Sequence, residues 1–184
     1  MFDLDAFKDE CAVAAGAGQQ AIREIVARAV EMPGAVLKSL GEPRRAEVKT
    51  LHRSVGLTIL NVIWGPRMTV MPHNHNMWAI IGIYTGREDN ILWRRVPDEP
   101  RGRIEAAGAK ALSERDALPL DRDIIHSVTN PIGRLTGAIH VYGGDFFGVL
   151  RSEWDPERLV EQPGDVQRTL KLFDESNRLY AGRS

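Results

Sequence analysis

The chain has 184 residues, 43% apolar and 27% charged, with a formal net charge of −1. That length allows one ordinary domain with a sizeable core. The near-neutral balance gives no electrostatic case for nucleic acid or an anionic membrane surface, and no apolar run approaches the ~20 residues of a membrane span. The opening MFDLDAFKDE is acidic where a signal peptide is basic and then apolar. The single cysteine, Cys11, cannot form an internal disulfide. Both features point to a reducing compartment, and the expected location is cytoplasmic.

Residues 3–40 read as helical. Ile22, Ile25, Val26, Ala29 and Val30 follow the spacing of an amphipathic helix. Met32-Pro33-Gly34 punctuates the pattern, and a shorter helix, Ala35–Leu40, ends at Gly41. Cys11 reads as a small packed or surface residue. From residue 47 the character changes. Strand formers run over Val48–Arg53, Leu57–Trp64, Met68–His75, Trp78–Tyr84, Asn90–Val96, Ile104–Ala107, Ala109–Leu112, Ile124–Thr129, Leu135–Tyr142 and Phe146–Leu150. Turn residues separate them, including Gly65-Pro66, Gly86, Leu118–Asp123 and Gly143-Gly144. Many short, closely spaced strands argue for an all-β sandwich or barrel. After Trp154-Asp155-Pro156 the pattern is irregular until Asp165–Tyr180, which reads as helix, with Leu170, Leu172, Phe173 and Leu179 available for packing. The expected organisation is mainly β: one domain over 1–184, with a helical flank to residue 46, a barrel over 47–151 and a C-terminal tail and helix over 152–184.

The five histidines carry the chemistry. His52 ends an early strand, His73 and His75 form an H-x-H pair, and His126 and His140 lie in IIHSVTN and AIHVYGG. Side chains two apart on a strand share a face, so His73 and His75 present two imidazoles side by side. A lone strand histidine is ordinarily a hydrogen-bonded core residue. A pair plus two later strand histidines reads as a metal site.

The arrangement resembles the cupin superfamily, whose fold is a double-stranded β-helix carrying two metal-binding motifs. The first motif is G-x5-H-x-H-x3,4-E-x6-G. His73, His75 and Gly86 match it, while Ala79 or Ile80 stands where the acidic ligand belongs. The second, G-x5-P-x-G-x2-H-x3-N, is matched by His126 and Asn130, with Asp121 and Asp123 replacing its Pro and Gly. The resemblance spans roughly residues 50–150. It implies a metal held by His73, His75 and His126 with no carboxylate. Three neutral ligands leave the full charge of a divalent ion, which suits an anionic small-molecule substrate and leaves positions open for dioxygen. Fe(2+) is the expected metal; Zn, Ni, Mn and Cu also accept such ligands.

Within the cupins the chain is similar to the cysteine dioxygenase-like, or thiol dioxygenase, group. Trp64-Gly65 precedes the H-x-H pair with that group's loop length, His126-Ser-Val-Thr-Asn130 looks like its H-x-V-x-N, and Ala138-Ile-His140-Val-Tyr142 looks like its Ser-x-His-x-Tyr relay. The resemblance implies that His140 and Tyr142 are catalytic residues beside the iron, orienting substrate and donating hydrogen bonds. His140 also has a plainer reading as a core histidine. The relay serine is Ala138, and the cysteine that cross-links to the Tyr in animal enzymes falls at Ile80. The group's carboxylate-binding arginine is matched best by Arg53 in LHRS, whose other reading is a surface arginine. Glu88 reads either as an acid near the metal, as in three-histidine cupins that cleave β-diketones, or as a solvated turn residue. Trp78, Tyr84, Trp93, Phe146 and Phe147 could wall an apolar pocket or simply pack the core. RSEWDP, residues 151–156, has no chemical reading. The implied activity is oxidation of a small thiol to a sulfinate. C–C cleavage of an enolisable substrate and non-catalytic small-molecule binding are the alternatives. A homodimer is compatible with the helical flank.

Overall fold

The computed structural model describes residues 2–181. Three helices open the chain: α1 over Leu4–Ala14, α2 over Gln19–Val30 and α3 over Pro33–Leu40. Asp3 caps α1 by accepting from the backbone N–H groups of Asp5 and Ala6. Eleven strands follow. They are β1 Glu47–Arg53, β2 Thr58–Trp64, β3 Thr69–Asn74, β4 Ala79–Thr85, β5 Arg87–Arg95, β6 Ile104–Ser113, β7 Ala117–Leu120, β8 Ile125–Thr129, β9 Thr136–Tyr142, β10 Ser152–Trp154 and β11 Glu161–Pro163. A last helix, α4, runs over Val166–Ala181. No helix of the described residues is long and apolar enough to cross a membrane.

The strands form two antiparallel sheets, ordered β1-β2-β9-β4-β7 and β11-β10-β3-β8-β5-β6. From β2 to β9 the chain alternates between sheets except at the β5–β6 hairpin. This gives the inner quartets β2-β9-β4-β7 and β3-β8-β5-β6 of a jelly roll, the double-stranded β-helix.

Period-2 alternation explains why the first sheet is buried on both faces. Leu60, Val62, Ile81, Ile83 and Ala138 point into the barrel. Ile59, Ile63, Ile80, Ile139 and Val141 point outward, where Ile22, Ile25, Val26 and Val30 of α2 cover them. The helix lies so close that a Cβ on Gly82 would sit 2.4 Å from Val26 Cγ1. Gln19 pins its start by donating to the carbonyls of Ala79 (3.2 Å) and Leu120 (2.8 Å). Cys11 is fully buried in this layer, and burial pushes its thiol up to about 12. It is a packing residue. Gly86 closes the turn after β4 at φ +85°, where a side chain would also strike Thr136.

Several expected boundaries move. Ile104–Ala107 and Ala109–Leu112 are one strand, β6, because a bulge opposite Leu92 and Trp93 absorbs the irregularity. Part of the expected turn Leu118–Asp123 is strand β7, which tolerates Pro119 because it lies at a sheet edge. Phe146–Leu150 is not a strand; the chain turns there, with Gly148 N–H donating to Asp145 C=O. The irregular stretch after Trp154 contains β11.

Candidate metal centre

β3 carries His73 and delivers His75, the residue just past its end, through an irregularity that the sequence pattern does not reveal. Val70 faces the barrel interior, so strict alternation would send Pro72 and Asn74 inward. The β3–β8 register slips between Val70 and His73. That slip exchanges the faces. His73 and His75 therefore join Val70 in lining the interior cavity. His73 pairs in register with His126 of β8, and one ligand nitrogen from each of the three histidines lies within 4.8 Å of the others.

The donor set fits a divalent ion. His73 Nδ1 hydrogen-bonds the Met71 carbonyl at 2.8 Å, and His126 Nδ1 hydrogen-bonds Asn90 Oδ1 at 2.7 Å. Each bond holds the proton on Nδ1 and leaves Nε2 bare. His126 Nε2 lies 3.3 Å from His75 Nε2. Metal–nitrogen bonds of roughly 2.0–2.1 Å at tetrahedral or octahedral angles put ligand nitrogens roughly 2.8–3.4 Å apart. Burial lowers the pKa of all three rings. It takes His73 to about 4, against the acceptor bond from Met71, and it holds His75 and His126 well below the ordinary value, helped by the neighbouring imidazoles. All three are thus neutral and able to coordinate near pH 7. Ala79, in place of an acidic ligand, is fully buried and faces the interior.

His140 and Tyr142 project inward from β9 beside the cluster. The Tyr142 ring lies 5.1 Å from that of His75, and its hydroxyl is 3.0 Å from His140 Nδ1. Burial raises the Tyr142 hydroxyl pKa. Tyr142 pairs in register with Ala79, whereas Ile80 faces the helices. The residue across from the phenol is therefore Ala79 rather than Ile80, and neither carries sulfur.

Glu88 is fully buried rather than solvated. One oxygen accepts from Trp64 Nε1 at 2.7 Å, and the other from Asn90 Nδ2 at 2.9 Å. His140 Nε2 lies 3.7 Å from the first of these oxygens and makes no hydrogen bond. Glu88 stands behind the cavity wall.

The structure separates the two arginines. Arg53 is half-exposed and bidentate to Asp145, at 2.8 and 2.9 Å, and its guanidinium lies 5.1 Å from the Phe147 ring centre. It does not line the cavity. Arg151 does. Its guanidinium sits 4.1 Å from the Phe146 ring centre, and its buried Nε and Nη2 have no hydrogen-bond partner. Burial lowers its pKa. The sequence signal was the unexplained RSEWDP, which now divides into three roles. Arg151 reaches the cavity, Glu153 is buried against Arg168 of α4, and Trp154 packs with Ile104 and Ile125.

Among the aromatic candidates, Phe146 and Phe147 line the cavity. Tyr84 instead packs under the helices and donates to Asn61, and Trp93 donates to Ser127. The C-terminal helix supplies a wall the sequence did not indicate. Phe173 of α4 stacks on Trp64 at 5.3 Å, and Asn177 bonds both the N–H and the C=O of Ala46. Leu179 is exposed. The space open to the centres of water-sized molecules is about 70 Å³. One water needs roughly 10–15 Å³ by the same measure, so the cavity suits a small ligand.

No family model matches the chain. Among solved structures it is similar in backbone course to an rmlc-like cupin family protein with a double-stranded β-helix fold from Methanocaldococcus jannaschii, with TM-score 0.46 and 11% identity over 58% of this chain and 87% of that one. It is also similar to a cupin 2 conserved barrel domain protein from Salinispora arenicola, with TM-score 0.41 and 15% identity over 53% of this chain and 74% of the other. Oxalate decarboxylase from Bacillus subtilis matches with TM-score 0.40 and 15% identity, over 50% of this chain but 22% of the enzyme.

Proposed function

We infer that the protein is a metal-dependent dioxygenase of the thiol dioxygenase type, oxidising a small anionic thiol to its sulfinate. The observation that carries this reading is the combination in one cavity of three neutral imidazoles without a carboxylate, a His140–Tyr142 pair and an unpaired buried guanidinium. Iron(II) is the metal the chemistry asks for, and when bound it would supply the site at which a thiolate and dioxygen meet. The overall change is RS⁻ + O2 → RSO2⁻, with both oxygen atoms transferred to sulfur.

The chain's own residues have separable tasks. His73, His75 and His126 would hold the metal. Arg151 takes the place that Arg53 was expected to fill: its free Nε and Nη2 form a fork matched to a carboxylate or another planar anion. Tyr142 lines the cavity beside His75, and the bond between its hydroxyl and His140 Nδ1 holds the phenol in place. Phe146, Phe147, Trp64 and Phe173 exclude water. The C–C cleavage alternative draws little from Glu88, because Trp64 and Asn90 occupy both oxygens and the carboxylate does not reach the cavity.

The test is oxygen uptake by iron-loaded protein with a panel of small thiols, with and without a carboxylate. A sulfinate product with carboxylate-bearing thiols supports the reading. Absence of thiol-dependent uptake across the panel refutes it, and a metal-free protein that binds small molecules unchanged as His73→Ala points to a binding protein.

A further inference from the structure

Three buried residues form a hydrogen-bonded line that starts at one metal ligand and leads away from the cavity: His126, Asn90 and Glu88, respectively 1%, 1% and 0% exposed. Water does not reach them, so each hydrogen bond must be satisfied within the line. Glu88 Oε2 is taken by Trp64 Nε1–H, which can only donate. Its Oε1 meets Asn90 at 2.9 Å, and a carboxylate can only accept. Asn90 must therefore turn its NH2 toward Glu88 and its carbonyl oxygen toward His126 Nδ1, 2.7 Å away. The opposite orientation would set carbonyl against carboxylate.

We propose that Glu88, acting through Asn90, fixes the proton of His126 on Nδ1 and so keeps Nε2 bare for the metal. Glu88 is a positioning residue, two hydrogen bonds from the ligand atom. The proposal rests on reading His73, His75 and His126 as a metal site. It goes further by assigning the tautomer of one ligand to a carboxylate that does not touch the cavity.

The chemistry of Glu88→Gln shows what is at stake. A carboxamide offers one oxygen and one NH2. Its oxygen goes to Trp64, which has no other acceptor. Its NH2 then faces Asn90, which satisfies it by presenting its own oxygen and turning its NH2 toward His126. His126 Nδ1 must now accept, and the proton moves to Nε2, 3.3 Å from His75 Nε2, the nitrogen it can donate to. Every group stays bonded, so the variant folds, but the coordinating atom carries a proton.

Zn(2+) affinity at neutral pH, read by competition with a chelator, gives one arm of the test, on the full chain and on Glu88→Gln and His126→Ala. Imidazole 15N NMR of the metal-free protein gives the other. The expected result is a loss of roughly 10–100-fold in Zn(2+) affinity for Glu88→Gln, with the His126 proton on Nδ1 in the wild type and on Nε2 in the variant. A loss of affinity in Glu88→Gln with the His126 proton still on Nδ1 would show a packing role only and overturn the proposal. So would unchanged affinity in Glu88→Gln, or a wild-type His126 protonated on Nε2. In those outcomes the metal site itself stands. It falls separately if the wild type binds no Zn(2+), or if His126→Ala binds as well as the wild type.

Discussion

Acidifying the metal-free protein from pH 7 to pH 5 should destabilise it well before its surface carboxylates titrate. His73 has its pKa lowered to about 4 by burial, from an ordinary value of 6.5. The unfolded chain therefore binds more protons than the folded one between those two values. Stability is complete above about 6.5, falls as pH drops through it, and stops falling from this source below about 4. Between pH 7 and pH 5, His73 alone contributes a loss of about 2 kcal/mol. His75 and His126 shift in the same direction and add to it. For a chain of this size, 2 kcal/mol lowers Tm by roughly 4–8 °C. Thermal melts of chelator-treated protein across this range measure the slope, and His73→Asn should flatten it. Saturating divalent metal should raise Tm at pH 7 and carry the acid limb to lower pH, because bound metal competes with protons for the same nitrogens. A Tm that does not change from pH 7 to pH 5 in the metal-free wild type would refute the burial of these imidazoles as neutral groups.

Other consequences follow from single contacts. Arg151→Met should raise KM for a carboxylate-bearing thiol roughly 10–100-fold, the worth of one or two charge-assisted bonds, and leave a neutral thiol largely unaffected; steady-state kinetics on the pair of substrates decides it. Tyr142→Phe should lower kcat while stoichiometric metal binding is retained, as measured by metal analysis alongside oxygen uptake. Phe173→Ala should cost about 3–5 kcal/mol by emptying the contact with Trp64, measured by urea denaturation. Gly82→Val should cost at least 1–3 kcal/mol by overpacking, since even a Cβ there meets Val26 at 2.4 Å; loss of α2 protection in hydrogen exchange would accompany it.

What was legible in the sequence was local. A sandwich or barrel could be read because strand formers alternate with turn residues at short intervals, and the double-stranded β-helix followed only from the resemblance of the histidine motifs. The H-x-H pair could be read because two positions on one strand share a face. What escaped depended on distant pairing. Nothing in TVMPHN announces the slip between Val70 and His73 that turns the pair inward. Arg151 gains its place only because β10 pairs with β3, through Glu153 opposite His73. An arginine in a short polar stretch carries no mark of that. Phe146–Leu150 has the composition of a strand, yet the Asp145–Gly148 turn brings both phenylalanines to the cavity. Glu88 could be read either way, because the sequence shows the turn glycine before it but not the Trp64 and Asn90 donors that bury it. Arg53 matched a position before the first motif, but Asp145, far along the chain, occupies its guanidinium.

The central claim is that a divalent metal sits among His73, His75 and His126. A crystal of metal-loaded protein, measured at an absorption edge of that metal, tests it directly. The account predicts one anomalous peak within bonding distance of all three Nε2 atoms and its loss in His126→Ala. A wild-type crystal with no peak there, or with one that survives His126→Ala unchanged, would contradict it.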